Sequence, residues 1–353
     1  MTELQPIEPR EALEMYCQDI DGDLSPNSLE QKRYQLGFFV DWCEGKDRTS
    51  AGRSGDEPPS ETEPRIENLN NITGRDFTRF KNWRGEDINK VTLRTNLSAL
   101  RTFMRFCVKI DAVAPSIPDK VNVPQLANGE NERESLLGPE RAERILEYLR
   151  TFHYASLRHV VFELQWRTGV RMSALHSLDT DDVYSDEQRI ELVHRPEEGT
   201  RLKNGADGER IVAIDEYTAG MLEDYIDYRR IPRNDDYGRE PLLTSSHGRM
   251  SKGHLNKQVY RYSAPCEYGA DCPAGRDPQE CEYAGSFEDF VACPHNVRPH
   301  DVRRGSITHY LRNDVPEKAV SDRMNVSLKT LDRHYDKRSD EEKAEQRREY
   351  FSE

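Results

Sequence analysis

Residues 297–338 read VRPHDVRRGSITHYLRNDVPEKAVSDRMNVSLKTLDRHYDKR. Within an otherwise acidic chain this stretch gathers His300, Arg303, Arg304, His309 and a late tyrosine, Tyr335. His300 and Arg303 are three apart, so on a helix they share a face. An imidazole beside a guanidinium suits a phosphoryl group passing through a pentacoordinate transition state, because preorganised donors stabilise the charge that develops there. A tyrosine phenol becomes a covalent nucleophile when neighbouring charge activates it.

Two upstream elements bear on the same chemistry. In QWRTGVRMSALHSL (165–178) one helix is predicted to end at Gly169 and another to begin near Met172, leaving Arg171 in the turn. A guanidinium fork at a rigid corner suits bidentate phosphate contact; a surface arginine capping a helix would look the same. RIELVHR (189–195) and RIVAI (210–214) read as strands, and the Asn204-Gly205 and Asp207-Gly208 pairs between them are turn signals. Lys203 at this tip could protonate a leaving oxygen, or be a plain surface lysine.

At 353 residues the chain suits about two domains of roughly 150 residues. Hydrophobic residues make up 35% and charged residues 33%, which predicts modest cores under a charged surface. No apolar run approaches the ~18–20 residues that span a bilayer. The opening MTELQPIEPREALEMY lacks the basic and apolar regions of a signal peptide. A cytoplasmic protein with no membrane partner is expected.

The net charge of −14 ordinarily argues against a nucleic-acid partner. Of 51 cations, however, 13 are Lys and 38 Arg, and the mean hydropathy is −0.91. That balance fits adaptation to high internal salt as well as an ordinary acidic enzyme. At ~1 M salt the Debye length is only ~3 Å, so global acidity would repel DNA far less. Window 71–110 carries nine cations (Arg75, Arg79, Lys81, Arg84, Lys90, Arg94, Arg101, Arg105, Lys109) against three acids. The local sign reversal reads as a polyanion footprint or as a solvated helical face.

Periodicity places further helices. Leu36, Phe39, Val40 and Cys43 share a face within 25–46, as do Leu93, Leu97, Leu100, Met104 and Cys107 within 91–108, and Ala142, Ile145, Leu146 and Leu149 beyond residue 136. Residues 51–65 form an acidic Pro/Gly/Ser-rich loop. The expected organisation is a helical N-terminal domain at 1–113, a linker at 114–135, a second domain at 136–340 with a Cys-rich insert at 262–296, and a charged helical tail at 341–353 that either packs on a neighbouring subunit or frays.

Taken in order, Arg171, Lys203, His300-x-x-Arg303 and Tyr335 resemble the tyrosine recombinase (phage integrase, Xer-like) family. RTGVRMSAL (167–175) resembles its first-arginine motif and LKNGADGERIVAI (202–214) its lysine-bearing β-hairpin. PHDVRRGSITHYL (299–311) resembles its His-x-x-Arg box and SLKTLDRHYD (327–336) the segment of its nucleophilic tyrosine. VTLRTNLSALRTFMRF (91–106) resembles part of its core-binding domain. The likeness is good over 136–340, loose over 25–110, and lapses over 262–296.

The resemblance implies a mainly α chain with the DNA breaking-rejoining fold. An all-helical core-binding domain would join an α+β catalytic domain with a small antiparallel sheet in a C-shaped clamp on double-stranded DNA. Tyr335 would form a 3′-phosphotyrosyl link, Arg171 and Arg303 would clamp the phosphate, Lys203 would protonate the 5′ oxygen and His300 would assist. No cofactor is implied for catalysis. A homotetramer is expected on DNA, and a monomer or dimer in solution. Arg75, Arg79, Lys81, Arg84, Arg94, Arg101 and Arg105 are the DNA-binding candidates. The composition adds a salt-adapted, haloarchaeal-type host.

Two positions depart from the pattern. Where the family has His or Trp, nine residues before the tyrosine, this chain has Val326, with Asn325 beside it; both are auxiliary candidates. Ala174 stands where an acid is frequent. These departures keep two alternatives open: a DNA-binding regulator with a degenerate site, and a type IB topoisomerase-like activity.

Cys266, Cys272, Cys281 and Cys293 fall in a short Pro/Gly-rich stretch with few apolar residues. Four thiols, with His295 as an alternate ligand, suit a structural zinc, although their spacing is not that of a zinc ribbon. Free or redox-active thiols are the other reading. Cys17, Cys43 and Cys107 read as core residues.

Overall fold

The computed structural model describes residues 3–46, 64–127, 130, 135–336 and 338–351. The chain divides into two compact units, Met1–Glu132 and Arg133–Glu353.

In the first unit the helices are α1 (Pro9–Asp19), α2 (Pro26–Cys43), α3 (Gly74–Gly85) and α4 (Lys90–Lys109). Their starts are set by side chains that satisfy otherwise unpaired N–H groups. Ser25 accepts from the Ser28 N–H, Asn89 from the Thr92 N–H, and Thr73 and Asp76 form a reciprocal box. The apolar faces expected of α2 and α4 meet in one core with Cys17, Cys43 and Cys107. Ile117 and Val121 are buried in that core, so the first part of the segment read as a linker packs as part of this unit. Most of the acidic loop at 51–65 lies outside the described residues, as do 128–129 and 131–134.

The second unit begins with α5 (Pro139–Phe152), α6 (Leu157–Thr168) and α7 (Met172–Ser177). Strands β1 (Val183–Tyr184), β2 (Arg189–Leu192) and β3 (Arg210–Ala213) follow as an antiparallel sheet in that order, with Ile190 opposite Val212. Then come α8 (Glu216–Tyr228), the short pair β4 (Thr244–Ser245) and β5 (Gly248–Arg249), and α9 (Lys252–Tyr262). The chain closes with α10 (Pro299–Arg312), α11 (Glu317–Met324), α12 (Leu328–Thr330) leading into a π turn at Leu331–Tyr335, and α13 (Asp340–Phe351). The fold is the expected one, mainly helical with small antiparallel sheets.

Helices α6 and α10 are the buried axis of this unit. Gly305 lets α10 approach closely, since a Cβ there would collide with the Leu137 carbonyl. Ser306 donates to the Trp166 carbonyl at 2.6 Å across the α6–α10 contact. Gly169 ends α6 at φ +59, and a Cβ there would fall 2.6 Å from the Met324 sulfur. Tail helix α13 lies against its own α10 end: Gln346 donates to the Leu311 carbonyl at 2.9 Å, and Arg312 pairs with Glu342 at 3.1 Å. The tail is helical, as expected, and these contacts seat it on its own chain.

On α6 the wholly buried Glu163 receives Arg150 at 2.9 Å and Arg167 at 3.0 Å, with His159 at 3.2 Å. Burial pushes its pKa up, but the His159 and arginine hydrogen bonds outweigh burial and hold it at about 2. Its folded pKa is therefore below the unfolded value of about 4.3, so its stabilisation is present above that value and lost as pH falls toward 2. Glu163→Gln strands these cations and should cost about 3 kcal/mol, read as a lower thermal midpoint at pH 7. The gap to wild type should narrow below about pH 4.

Candidate active site

Pro299 occupies the first turn of α10, and Asp301 caps the Arg298 N–H. This fixes His300 and Arg303 on one face, one turn apart. The Tyr335 hydroxyl lies 3.3 Å from His300 Nε2, and the two rings are 5.5 Å apart. Thr308 Oγ1 donates to the Tyr335 carbonyl at 2.9 Å, tying the π turn back to α10. Arg303 is wholly buried, with its guanidinium carbon 5.5 Å from the Tyr335 ring centre.

Three arginines converge on the C-terminal end of α11. Arg210 Nε donates to the Arg323 carbonyl at 2.7 Å, Arg303 to that of Met324 at 2.8 Å and Arg171 to that of Asn325 at 2.9 Å. These are consecutive carbonyls at the negative end of a helix dipole, where intrahelical donors run out. Arg303 also donates to the Gly169 carbonyl, while its buried Nε has no hydrogen-bond partner among the described residues. Burial, then Arg171, lowers the Arg303 pKa to about 10; burial, then Arg303, Arg171 and Arg323, lowers that of Arg210 to about 10. Both remain cationic at neutral pH. Like charges packed around an unpaired donor make a site for an anion.

Arg171 caps α7 in the turn where the sequence places it. Lys203 is exposed in the β2–β3 connection and lines a small cavity with Arg171, Ser173, Arg210 and Asn325. All five candidate catalytic residues therefore come into one region. Arg210 was not among them. Its signal was a charge on the inward side of β3, in phase with buried Val212.

The auxiliary candidates have different places. Val326 is buried in an apolar cluster with Ile307, Leu311, Met324, Leu331 and Tyr335. Asn325 ends α11 at φ +47 and turns its amide toward the β2–β3 tip.

In the first unit Arg75, Arg79, Arg94 and Arg105 are exposed on α3 and α4, and Lys81 is half-buried. Arg84 stacks 3.7 Å over the Phe38 ring and Arg101 donates to the Val121 carbonyl at 2.6 Å, so these two also serve their own unit.

The four cysteines of the insert and His295 line one cavity of about 20 Å³. Among the described residues, no group of three His, Cys, Asp or Glu side chains is placed to hold a metal ion. The set expected for zinc is thus gathered around one space but not drawn together. The insert's ends are joined, with the Val297 N–H donating to Ser263 Oγ at 2.9 Å. Arg141 staples both ends, reaching the carbonyls of Ser263 and His295 at 2.7 and 2.5 Å.

Residues 136–342 match the model of the phage integrase family, and the chain belongs to that family. No curated protein matches it. Among solved structures it is similar to the Tn1549 transposon integrase in complex with a circular intermediate DNA, at 16% identity and a TM-score of 0.63, over 96% of this chain and 98% of that one. It is similar also to a lambda integrase dimer bound to a COC′ core site, at 11% identity and a TM-score of 0.59, over 97% and 78% of the two chains. A lambda integrase tetramer bound to a Holliday junction matches at 12% identity and a TM-score of 0.59, over 92% and 75%. At these identities the likeness is one of fold. No described helix is long and apolar enough to cross a membrane.

Burial, then Arg304 and Arg303, lowers the His300 pKa to about 4. The imidazole facing the phenol is therefore neutral at pH 7 and able to accept a proton. NMR of histidine-labelled protein at about pH 5.5 should find His300 mostly unprotonated, where an ordinary histidine would be about nine-tenths protonated. Arg304→Gln should shift its titration upward.

Proposed function

We propose that this protein is a site-specific DNA recombinase, or integrase, that cuts and rejoins duplex DNA through a 3′-phosphotyrosyl intermediate. The observation that carries the reading is the Tyr335 hydroxyl held 3.3 Å from a neutral His300 beside the buried Arg303. Tyr335 Oη attacks phosphorus and its proton passes to His300 Nε2. Arg171 and Arg303 hold the non-bridging oxygens, since each guanidinium has five N–H donors and the α11 carbonyls occupy only some of them. The bond from phosphorus to O5′ breaks, and Lys203 Nζ gives its proton to that oxygen. Reversal with a new 5′ hydroxyl rejoins the strand. The phosphotyrosine conserves the bond energy, so the chemistry requires no nucleotide or metal.

The exposed cations of α3 and α4 supply backbone contacts, each steepening the loss of affinity with salt. A tetramer on DNA is the working assembly, by likeness to the lambda integrase tetramer on its junction. The acidic, Lys-poor composition supports a high-salt host.

The DNA probe is a pool of nicked duplexes with a randomised core, from which denaturant-resistant protein–DNA complexes are recovered and sequenced. Wild type should trap duplexes. Tyr335→Phe, which loses only the hydroxyl, should trap none while binding the recovered duplex as well as wild type. Trapping that persists in the variant would move the nucleophile elsewhere. Binding without any wild-type trapping would favour the regulator. Trapping with plasmid relaxation but no strand exchange would favour the topoisomerase.

We also propose that the cysteine insert takes up one structural zinc. Four thiols and His295 line one small cavity, and the ends of the segment are already joined. Glycines at φ +72 and +64 follow Cys266 and Cys272 by three residues, and N–H groups of residues 274–276 turn toward the Cys272 sulfur. Binding would draw the sulfurs to Zn–S distances of about 2.3 Å. Untagged protein should carry about one zinc per chain, and Cys272→Ser should lower both zinc content and thermal midpoint. Equal stability with and without a chelator, and no zinc, would leave the thiols as redox groups.

A further inference from the structure

Asn325 joins the two halves of the proposed chemistry. Its carbonyl accepts from Arg171 at 2.9 Å. Its Oδ1 accepts from Asn204 Nδ2 at 2.5 Å, and its Nδ2 donates to the Asp207 carbonyl at 2.9 Å. One residue thus touches a clamp arginine through its backbone and the tip bearing Lys203 through its side chain. Lys203, Asn204 and Asp207 are all exposed, so little apolar burial fixes the tip. Leu202 anchors its root, and Arg210 ties the outgoing strand to the Arg323 carbonyl.

The backbone at this position makes the side chain informative. At φ +47 Asn325 is left-handed, a conformation that glycine adopts without cost and asparagine tolerates. Glycine would end α11 and offer Arg171 the same carbonyl. What the asparagine adds is the pair of bonds to the tip. The amide oxygen and one of the two amide N–H groups are engaged there, so the side-chain hydrogen bonds of Asn325 go to the tip.

We propose that Asn325 is a positioning residue for the leaving-group step: it sets where the Lys203 ammonium stands relative to the phosphate gripped by Arg171. The proposal rests on the reading of Lys203 as proton donor. A tip released from Asn325 would still carry its lysine but would hold it less accurately, and a misplacement of about 1 Å at a reacting group costs on the order of a hundredfold in rate.

The test is single-turnover covalent trapping on the recovered nicked duplex, made with either oxygen or sulfur at the bridging 5′ position. When sulfur leaves, the bond from phosphorus to sulfur breaks and a thiolate departs without a donated proton, since thiols ionise near about pH 8.5. On the oxygen duplex Asn325→Gly should trap about ten- to a hundredfold more slowly than wild type, with duplex affinity within about twofold. On the sulfur duplex that deficit should nearly vanish, and Lys203→Ala should show the same rescue. Asn204→Ala should be slowed in part, and combining it with Asn325→Gly should cost no more than Asn325→Gly alone. A wild-type rate for Asn325→Gly on oxygen would overturn the proposal. So would an equal deficit on both duplexes, which would put the loss at the Arg171 clamp. If Lys203→Ala is equally slow on oxygen and sulfur, Lys203 is not the proton donor, and the reading beneath the proposal falls with it.

Discussion

The end of α11 is the constraint on which the site depends. Guanidinium groups repel one another, and burial takes away the water that would screen them. A helix terminus offers the opposite sign in fixed positions: carbonyls with no partner of their own and a partial negative charge summed along the helix. Arg210, Arg303 and Arg171 each take one of three consecutive carbonyls there. The contact satisfies backbone oxygens that would otherwise be stranded and, among the described residues, holds three cations close together without a carboxylate ion-paired to them. A carboxylate would have competed with a phosphate for the same donors; a carbonyl competes less.

Several local features follow from holding that helix end in place. Gly169 must be left-handed and lack a Cβ, because Met324 packs against it and its carbonyl receives Arg303. Gly305 must be bare so that α10 can approach Leu137. Val326 fills apolar space next to Tyr335, a place where a polar ring would need a partner of its own. Burial first, and then the cations Arg304 and Arg303 beside it, account for the neutral imidazole of His300.

The tail and the cysteine insert both attach to α10 or its approach. Helix α13 satisfies the Leu311 carbonyl near the C-terminal end of α10, while Arg141 and Ser263 close the insert just before its N-terminal end. The helix that carries His300 and Arg303 is therefore braced at both ends, by the tail and by the closure of the insert.

Much of this was legible in the residues themselves. Helices α2, α4 and α5 follow from apolar spacing. The Gly169–Arg171 turn, the shared face of His300 and Arg303, and the hairpin around Lys203 follow from rules that act over one turn of helix or one strand pair. Those rules do not extend to Arg171 and Asn325, 154 residues apart, or to Arg210 and Arg323, 113 apart. Which carbonyl each arginine takes, where the Asn325 amide points, and that the tail folds back on its own α10 were decided by packing. So was the separation of the thiols around their shared space. Sequence spacing specifies which side chains share a face; the docking of one buried element against another specifies which atoms meet, because desolvated donors and acceptors must find partners wherever the close-packed core brings them.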